Sequence, residues 1–216
     1  GDSTAHPFNN CDNTGLEKIV VTLDEEWIKK LQEFREDYFP VLEVESKGTN
    51  LFNGVAASYY GVSTVGNALH RSKYENGGDF PDFLLSLILK AYRKKFGQEK
   101  FDLILYVPPT ISGDLVKNFA IKVSKVLDFP ISHDLIKNRE TSEQKVFENA
   151  YLKSDNIKDA FTYINPEDLK GKTVLLIDDI YDSGATIKEI GRYLSSLGAI
   201  KIVPLVIAKT VGGDIT

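Results

Sequence analysis

The sequence has 216 residues, of which 42% are hydrophobic and 26% charged, and its formal net charge is -5 at pH 7. This composition is typical of a globular protein with its own core, and it lacks the positive charge expected of a protein that coats nucleic acid. The single cysteine, Cys11, excludes an internal disulfide and an all-cysteine zinc site. No apolar run is long enough to cross a bilayer, so we expect a soluble, cytoplasmic protein without membrane contact.

The first hundred residues show few regular patterns. Small polar residues predict a flexible lead-in over 1–15, and the apolar spacing after Asp24 predicts a helix that includes Trp27 and Phe34. A second helix is predicted to begin near Pro81, because proline suits the first turn of a helix. We therefore assign 16–99 to an N-terminal, mainly helical region, although the glycine-rich stretch 39–70 has no clear pattern.

The second half alternates between strand and helix patterns. Short apolar runs predict strands, and amphipathic stretches with a glycine or a proline at their ends predict helices. In chain order, we predict a strand over Phe101–Val107, a helix over Gly113–Leu127, an extended stretch over Phe129–Ile136, a buried strand over Val174–Ile177, a helix ending near Leu197 and a strand over Ile200–Ala208. This alternation predicts an α/β fold with an open, mainly parallel sheet over 100–216.

One segment carries the chemistry: a buried strand ends in Asp178 and Asp179, and a tight turn then leads into a helix. Ligands of open α/β sheets bind beyond the carboxyl ends of the strands. The helix N-terminus, the hydroxyls of Ser183 and Thr186 and the close approach that Gly184 permits all suit a phosphate. The two carboxylates suit the vicinal hydroxyls of a sugar or a divalent cation. The segment therefore predicts a ribose 5-phosphate site, and the structural alternative is that the aspartates end the strand while Ser183 caps the helix.

This segment resembles the 5-phosphoribosyl-1-pyrophosphate (PRPP) signature of type I phosphoribosyltransferases. The resemblance implies that Asp178 and Asp179 hold the ribose hydroxyls, and that Asp182 is the catalytic base that accepts the proton of the nucleobase. It implies a loop around the 5-phosphate, formed by Asp182, Ser183, Gly184, Ala185 and Thr186. Upstream, Pro108, Pro109 and Thr110 match the position of the pyrophosphate loop of that family.

A second resemblance is narrower. The stretch that begins Lys137-Asn138-Arg139 is similar to a block of ComF-type proteins, and a similar module ends some RecQ-type DNA helicases. Lys137 and Arg139 either lie on a loop that closes over the site and neutralises pyrophosphate, or belong to a solvated loop. Cys11–Gly15 resembles a helicase zinc-cluster string that lacks its second cysteine.

Together, the resemblances imply transfer of phosphoribosyl from PRPP to an unidentified nitrogenous base, with release of pyrophosphate and with Mg²⁺ bound through PRPP and Asp178 or Asp179. The region 16–99 would then be the hood that selects the base. The alternatives are a non-catalytic PRPP- or nucleotide-binding regulatory module of a DNA-processing protein, and a structural domain with a vestigial site. Tyr181 either stacks on a base or packs against the neighbouring helix. The sequence does not decide the oligomeric state, for which a homodimer is one alternative.

Overall fold

The computed structural model describes residues 38–60, 64–74, 80–109, 113–138 and 159–210. The predicted lead-in, the helix predicted after Asp24, and Cys11, Thr110 and Arg139 lie outside these residues. The described strands are β1 (Val41–Leu42), β2 (Gly54–Tyr60), β3 (Leu103–Tyr106), β4 (Leu135–Lys137), β5 (Phe161–Tyr163), β6 (Thr173–Tyr181) and β7 (Lys201–Thr210). The helices are α1 (Thr64–Tyr74), α2 (Asp82–Phe96), α3 (Leu115–Leu127) and α4 (Ala185–Ser196), with a 3-10 turn at Pro166–Leu169.

The central sheet has five strands in the order β1-β2-β7-β6-β3. Strands β2, β7, β6 and β3 run parallel, and only β1 is antiparallel to its neighbour. A parallel bridge between Ile104 and Ile131 extends the sheet past β3, and β4 and β5 form a separate antiparallel ribbon. This topology confirms the predicted α/β fold with a mainly parallel sheet.

The core lies on both faces of the sheet because β6 and β7 are continuous apolar runs, the pattern of strands that are buried on both sides. Along β6, Leu175 and Ile177 point to one core cluster, whereas Val174 and Leu176 point to the other. Helices α1, α2 and α3 cover the first face. Helix α4, the β4–β5 ribbon and the 3-10 turn cover the second face.

Two of the five strands come from the range 16–99. Strand β2, GVAASYY, lies inside the sheet between β1 and β7. Its glycine and alanines carry little hydrophobic signal, so a hydrophobicity pattern does not reveal the strand. Packing explains the glycine, because a Cβ built on Gly54 would lie 2.0 Å from the carbonyl oxygen of Pro204. The close approach of β2 to β7 therefore requires glycine at this position.

Among the described residues, no helix has the length and apolar character that a bilayer crossing requires.

Candidate functional site

The candidate site lies at the edge of the sheet where the four parallel strands end. Helix α3 follows β3 on one face of the sheet, and α4 follows the neighbouring strand β6 on the other face. Adjacent strands whose following helices diverge in this way leave a crevice at their carboxyl ends, which is where ligands of open α/β sheets bind. A hydrogen bond of 2.9 Å from the amide of Val107 to the carbonyl of Ile177 aligns the two strand ends.

Asp178 and Asp179 lie within β6 and not after it, because the strand continues to Tyr181. Their exposed fractions are 8% and 7%, so both carboxylates are largely buried. Asp178 Oδ1 accepts a hydrogen bond of 2.9 Å from the amide of Asp179, and Asp179 Oδ1 accepts one of 2.7 Å from the amide of Ile180. Each carboxylate is thus oriented by the backbone that follows it.

The regular alternation of side chains changes phase at this acidic pair. Ile177 and Ile180 pack against the same core cluster, although an odd spacing along a strand normally puts side chains on opposite faces. Tyr181 accordingly packs against the other cluster, which includes Leu176. The change of cluster thus coincides with Asp178 and Asp179, next to the crevice, while the register of β6 with β7 keeps the same offset on both sides of the pair.

The loop from Asp182 to Thr186 directly follows β6 and leads into α4. Gly184 adopts a left-handed conformation with φ of 72° and is the N-cap of α4, whose first turn contains no acidic residue. The Ser183 hydroxyl accepts a hydrogen bond of 3.4 Å from the amide of Ala185. The positive end of the helix dipole and the amides of the first turn make this loop suitable for an anion.

Asp182, the predicted catalytic base, lies beside the end of β7. Its Oδ1 accepts a hydrogen bond of 3.0 Å from the hydroxyl of Thr210. The pairing of Tyr181 with Lys209 aligns β6 with β7 one residue earlier and brings these two side chains together. Thr210 could not be predicted from the sequence, because it lies 28 residues from Asp182 in the chain.

Tyr181 is 5% exposed, and its ring packs against Gly184. Its hydroxyl donates a hydrogen bond of 3.3 Å to the carbonyl of Glu43. The Lys209 ammonium lies 5.7 Å from the centre of the ring, within the range of a cation–π contact. Of the two predictions for Tyr181, these contacts favour packing at the start of α4 over stacking on a base.

Pro108 and Pro109 follow β3 after Val107, at the crevice and beside β6. Next to them, the hydroxyl of Tyr106 is 2.9 Å from Nδ1 of His133. Burial, and secondarily the charge of Asp114, raises the pKa of Tyr106, so this side chain is a neutral hydrogen-bonding group at physiological pH. The third residue of the predicted pyrophosphate loop, Thr110, lies outside the described residues.

Lys137 ends β4 in the ribbon that packs along α4. The amide of Tyr163, near one end of the ribbon, donates to the Tyr193 hydroxyl, and the amide of Asp159, near the other end, donates to Glu189. Because Glu189 is nearer than Tyr193 to the start of α4, the end of the ribbon that carries Lys137 points towards the candidate site. Arg139, the other predicted basic residue, lies outside the described part of the chain.

The acidic pair suits Mg²⁺ only in combination with a ligand. Within the described residues, no group of three or more histidine, cysteine or acidic side chains could enclose a metal ion. Mg²⁺ is commonly bound by one or two carboxylates together with substrate phosphates, and keeps several waters. Asp178 and Asp179 offer that donor set.

Part of the chain is similar in sequence to known proteins. Residues 118–211 match the family model described as the phosphoribosyl transferase domain. Over 109 residues, half of this chain, the sequence is 28% identical to amidophosphoribosyltransferase of Saccharomyces cerevisiae. The match covers 20% of that enzyme, so the chain spans about a fifth of the length of this relative.

Two solved structures are similar at low identity. The purine phosphoribosyltransferase of Pyrococcus horikoshii is 20% identical with a TM-score of 0.43, and the match covers 63% of this chain and 81% of that one. The glutamine PRPP amidotransferase of Bacillus subtilis is 21% identical with a TM-score of 0.37, and the match covers 50% and 22%. The sequence match shows that residues 118–211 are similar to the phosphoribosyl transferase domain.

Proposed function

We propose that this chain binds PRPP at the crevice between β3 and β6 and transfers its phosphoribosyl group to a nitrogenous base, releasing pyrophosphate. One observation carries the proposal: two buried carboxylates, Asp178 and Asp179, lie near the end of β6 just before a loop that leads through Gly184 into the N-terminus of α4. Carboxylates accept hydrogen bonds from sugar hydroxyls, and a helix N-terminus binds phosphate. The spacing suits a ribose that carries a 5-phosphate.

In the reaction, the bond between the anomeric carbon and the pyrophosphate oxygen breaks, and a bond from that carbon to the acceptor nitrogen forms. Sugar transfer of this kind passes through an oxocarbenium-like transition state, in which the leaving group accumulates charge. When bound, Mg²⁺ neutralises charge on the pyrophosphate. Asp178 and Asp179 orient the ribose, while Pro108 and Pro109 border the space for the leaving group.

Asp182 accepts the proton that the acceptor nitrogen loses. The Thr210 hydroxyl holds the Asp182 carboxylate at the end of β6, beside the loop for the 5-phosphate. We assign Lys137, together with Arg139, to charge neutralisation of pyrophosphate. The acceptor is a nitrogen nucleophile whose identity depends on the region before β3.

The test is release of pyrophosphate from Mg·PRPP with a panel of purine bases, pyrimidine bases and ammonia. Asp182→Asn should retain PRPP affinity and lower turnover by roughly 100- to 10,000-fold, the usual contribution of a general base. Asp168→Asn, an exposed change in the 3-10 turn, is the matched control and should retain both. Equal loss of affinity and turnover in Asp182→Asn would remove this residue from the base role.

The alternative is a non-catalytic regulatory module that binds PRPP or a nucleotide, joined to a DNA-processing protein of the ComF or RecQ type. It uses the same binding residues, so turnover decides between the two. Saturable binding of PRPP without turnover of any base would favour the regulatory module. Binding of DNA that weakens as salt increases would support the link to DNA, and sedimentation of the same sample tests the homodimer.

A further inference from the structure

Tyr181 lies between the acidic pair and the loop 182–186, yet it has no role in the proposed reaction. Its ring is buried, with an exposed fraction of 5%, and faces the one residue of the loop that has a left-handed backbone. A Cβ built on Gly184 would lie 2.6 Å from the Tyr181 hydroxyl oxygen, 2.7 Å from Cε2 and 2.8 Å from Cζ. The ring therefore occupies the space that any side chain at position 184 would need.

The ring is held from two sides by contacts outside the loop. Its hydroxyl donates to the carbonyl of Glu43, directly after β1. The Lys209 ammonium lies over the ring and also donates a hydrogen bond of 3.3 Å to the carbonyl of Val41. The edge strand β1 and the end of β7 thus fix the position of the ring, and the ring in turn limits how closely the loop can approach the sheet.

We propose that Tyr181 is a positioning residue that acts through Gly184: its ring supports the loop 182–186 and sets the direction of the amides at the start of α4. The ring does not touch the ligand. This inference rests on the proposed function, since the amides that it positions are those assigned to the 5-phosphate of PRPP. It explains why an aromatic residue and a glycine occur three positions apart around the loop.

The experiment is a double-mutant cycle between positions 181 and 184. The single variants are Gly184→Ala, Tyr181→Leu and Tyr181→Phe, the last being the conservative control that keeps Cε2 and Cζ. Two double variants combine Gly184→Ala with each change at position 181. Leucine lacks the three atoms that would meet the new Cβ, whereas the backbone strain of alanine at position 184 is the same in every background and cancels. The readouts are the affinity for Mg·PRPP, KM and kcat where turnover occurs, and the thermal unfolding of the ligand-free chain.

Gly184→Ala should lower the affinity for Mg·PRPP at least about tenfold in the wild-type background, since overpacking displaces the loop. The same change should cost at least about fivefold less in the Tyr181→Leu background, and close to the full penalty in the Tyr181→Phe background. Where turnover occurs, KM for PRPP should rise while kcat changes little, because the loop holds the 5-phosphate in the ground state and the transition state alike.

Equal losses in all three backgrounds would overturn the inference and leave the proposed function intact. A wild-type chain that binds no Mg·PRPP would instead refute the proposed function. In that case the cycle is read from thermal unfolding: a smaller penalty for Gly184→Ala beside leucine supports the coupling of ring and loop, and additive penalties refute it.

Discussion

Replacing either buried carboxylate by its amide separates a binding role from a structural one. In Asp178→Asn and Asp179→Asn, the side chain keeps an oxygen that can accept the same backbone hydrogen bond, 2.9 Å and 2.7 Å long in the two cases. The change removes one negative charge and adds almost no volume. Any loss of affinity then reports on the charge itself.

The expected loss follows from the value of a hydrogen bond to a charged group, about 1.5–3 kcal/mol. Such a loss corresponds to a roughly 10- to 150-fold weaker affinity for Mg·PRPP. Stability should move the other way or stay constant, because Asp178 and Asp179 are consecutive, like-charged and less than one-tenth exposed. Burial and mutual repulsion both disfavour two charges at these positions.

Calorimetric titration with Mg·PRPP measures the affinity, and thermal unfolding of the ligand-free chain measures stability. Asp168→Asn is again the control, because this exposed residue lies before β6, at the opposite end of the strand from the crevice. Unchanged affinity in both Asn variants would refute the ribose role. Weaker affinity with an equally large loss of stability would show that the carboxylates hold the strand together instead.

Three further predictions test the surroundings of the site and the fold. Thr210→Val should lower kcat roughly tenfold because it removes the hydrogen bond to Asp182, whereas Thr210→Ser should retain kcat. Neither variant should change PRPP affinity. An unchanged kcat in Thr210→Val would exclude the positioning role. The backbone amide of Thr173, and secondarily its hydroxyl, lowers the pKa of Asp102. The ionised Asp102 carboxylate therefore stabilises the folded chain above the pKa of the unfolded state, and this stabilisation is lost as the pH falls through the pKa of the folded state. Urea unfolding should show that Asp102→Asn costs about 0.5 kcal/mol at neutral pH, and that the difference closes below about pH 4. Burial, with a smaller effect of Glu99, raises the pKa of Tyr92 from 10.0 to about 12. The unfolded chain therefore loses this proton at a lower pH than the folded chain, and the free energy of unfolding should fall between pH 10.0 and about 12 more steeply in the wild type than in Tyr92→Phe. Equal slopes in the two proteins would contradict this.

The sheet was predictable where hydrophobicity marks it and hidden where packing requires small side chains. Strands β6 and β7 are apolar on both faces, so their sequence alone predicts burial in a parallel sheet. Strand β2 is equally central, but Gly54 and its alanines carry little hydrophobic signal. Its position depends on the close approach to Pro204, which is a contact between segments 150 residues apart in the chain and leaves no local pattern.

The candidate site shows the same division between local and distant causes. Asp178 and Asp179 are unfavourable in strands, so the sequence predicts that the strand ends before them, whereas pairing of β6 with β7 continues to Tyr181. Pairing with a long neighbour outweighs the weak preference of the two residues. The loop after them was predicted more closely, because glycine, serine and a following helix are local signals.

Strand alternation alone does not predict the side of the sheet on which Tyr181 packs. Strict alternation from Ile177 would put Tyr181 on the same face as Ile177, whereas it packs in the opposite cluster. The change of phase occurs at Asp178 and Asp179, whose side chains bond to the backbone that follows them. The two carboxylates and the tyrosine ring that packs against Gly184 thus lie within one short stretch of β6, from Asp178 to Tyr181.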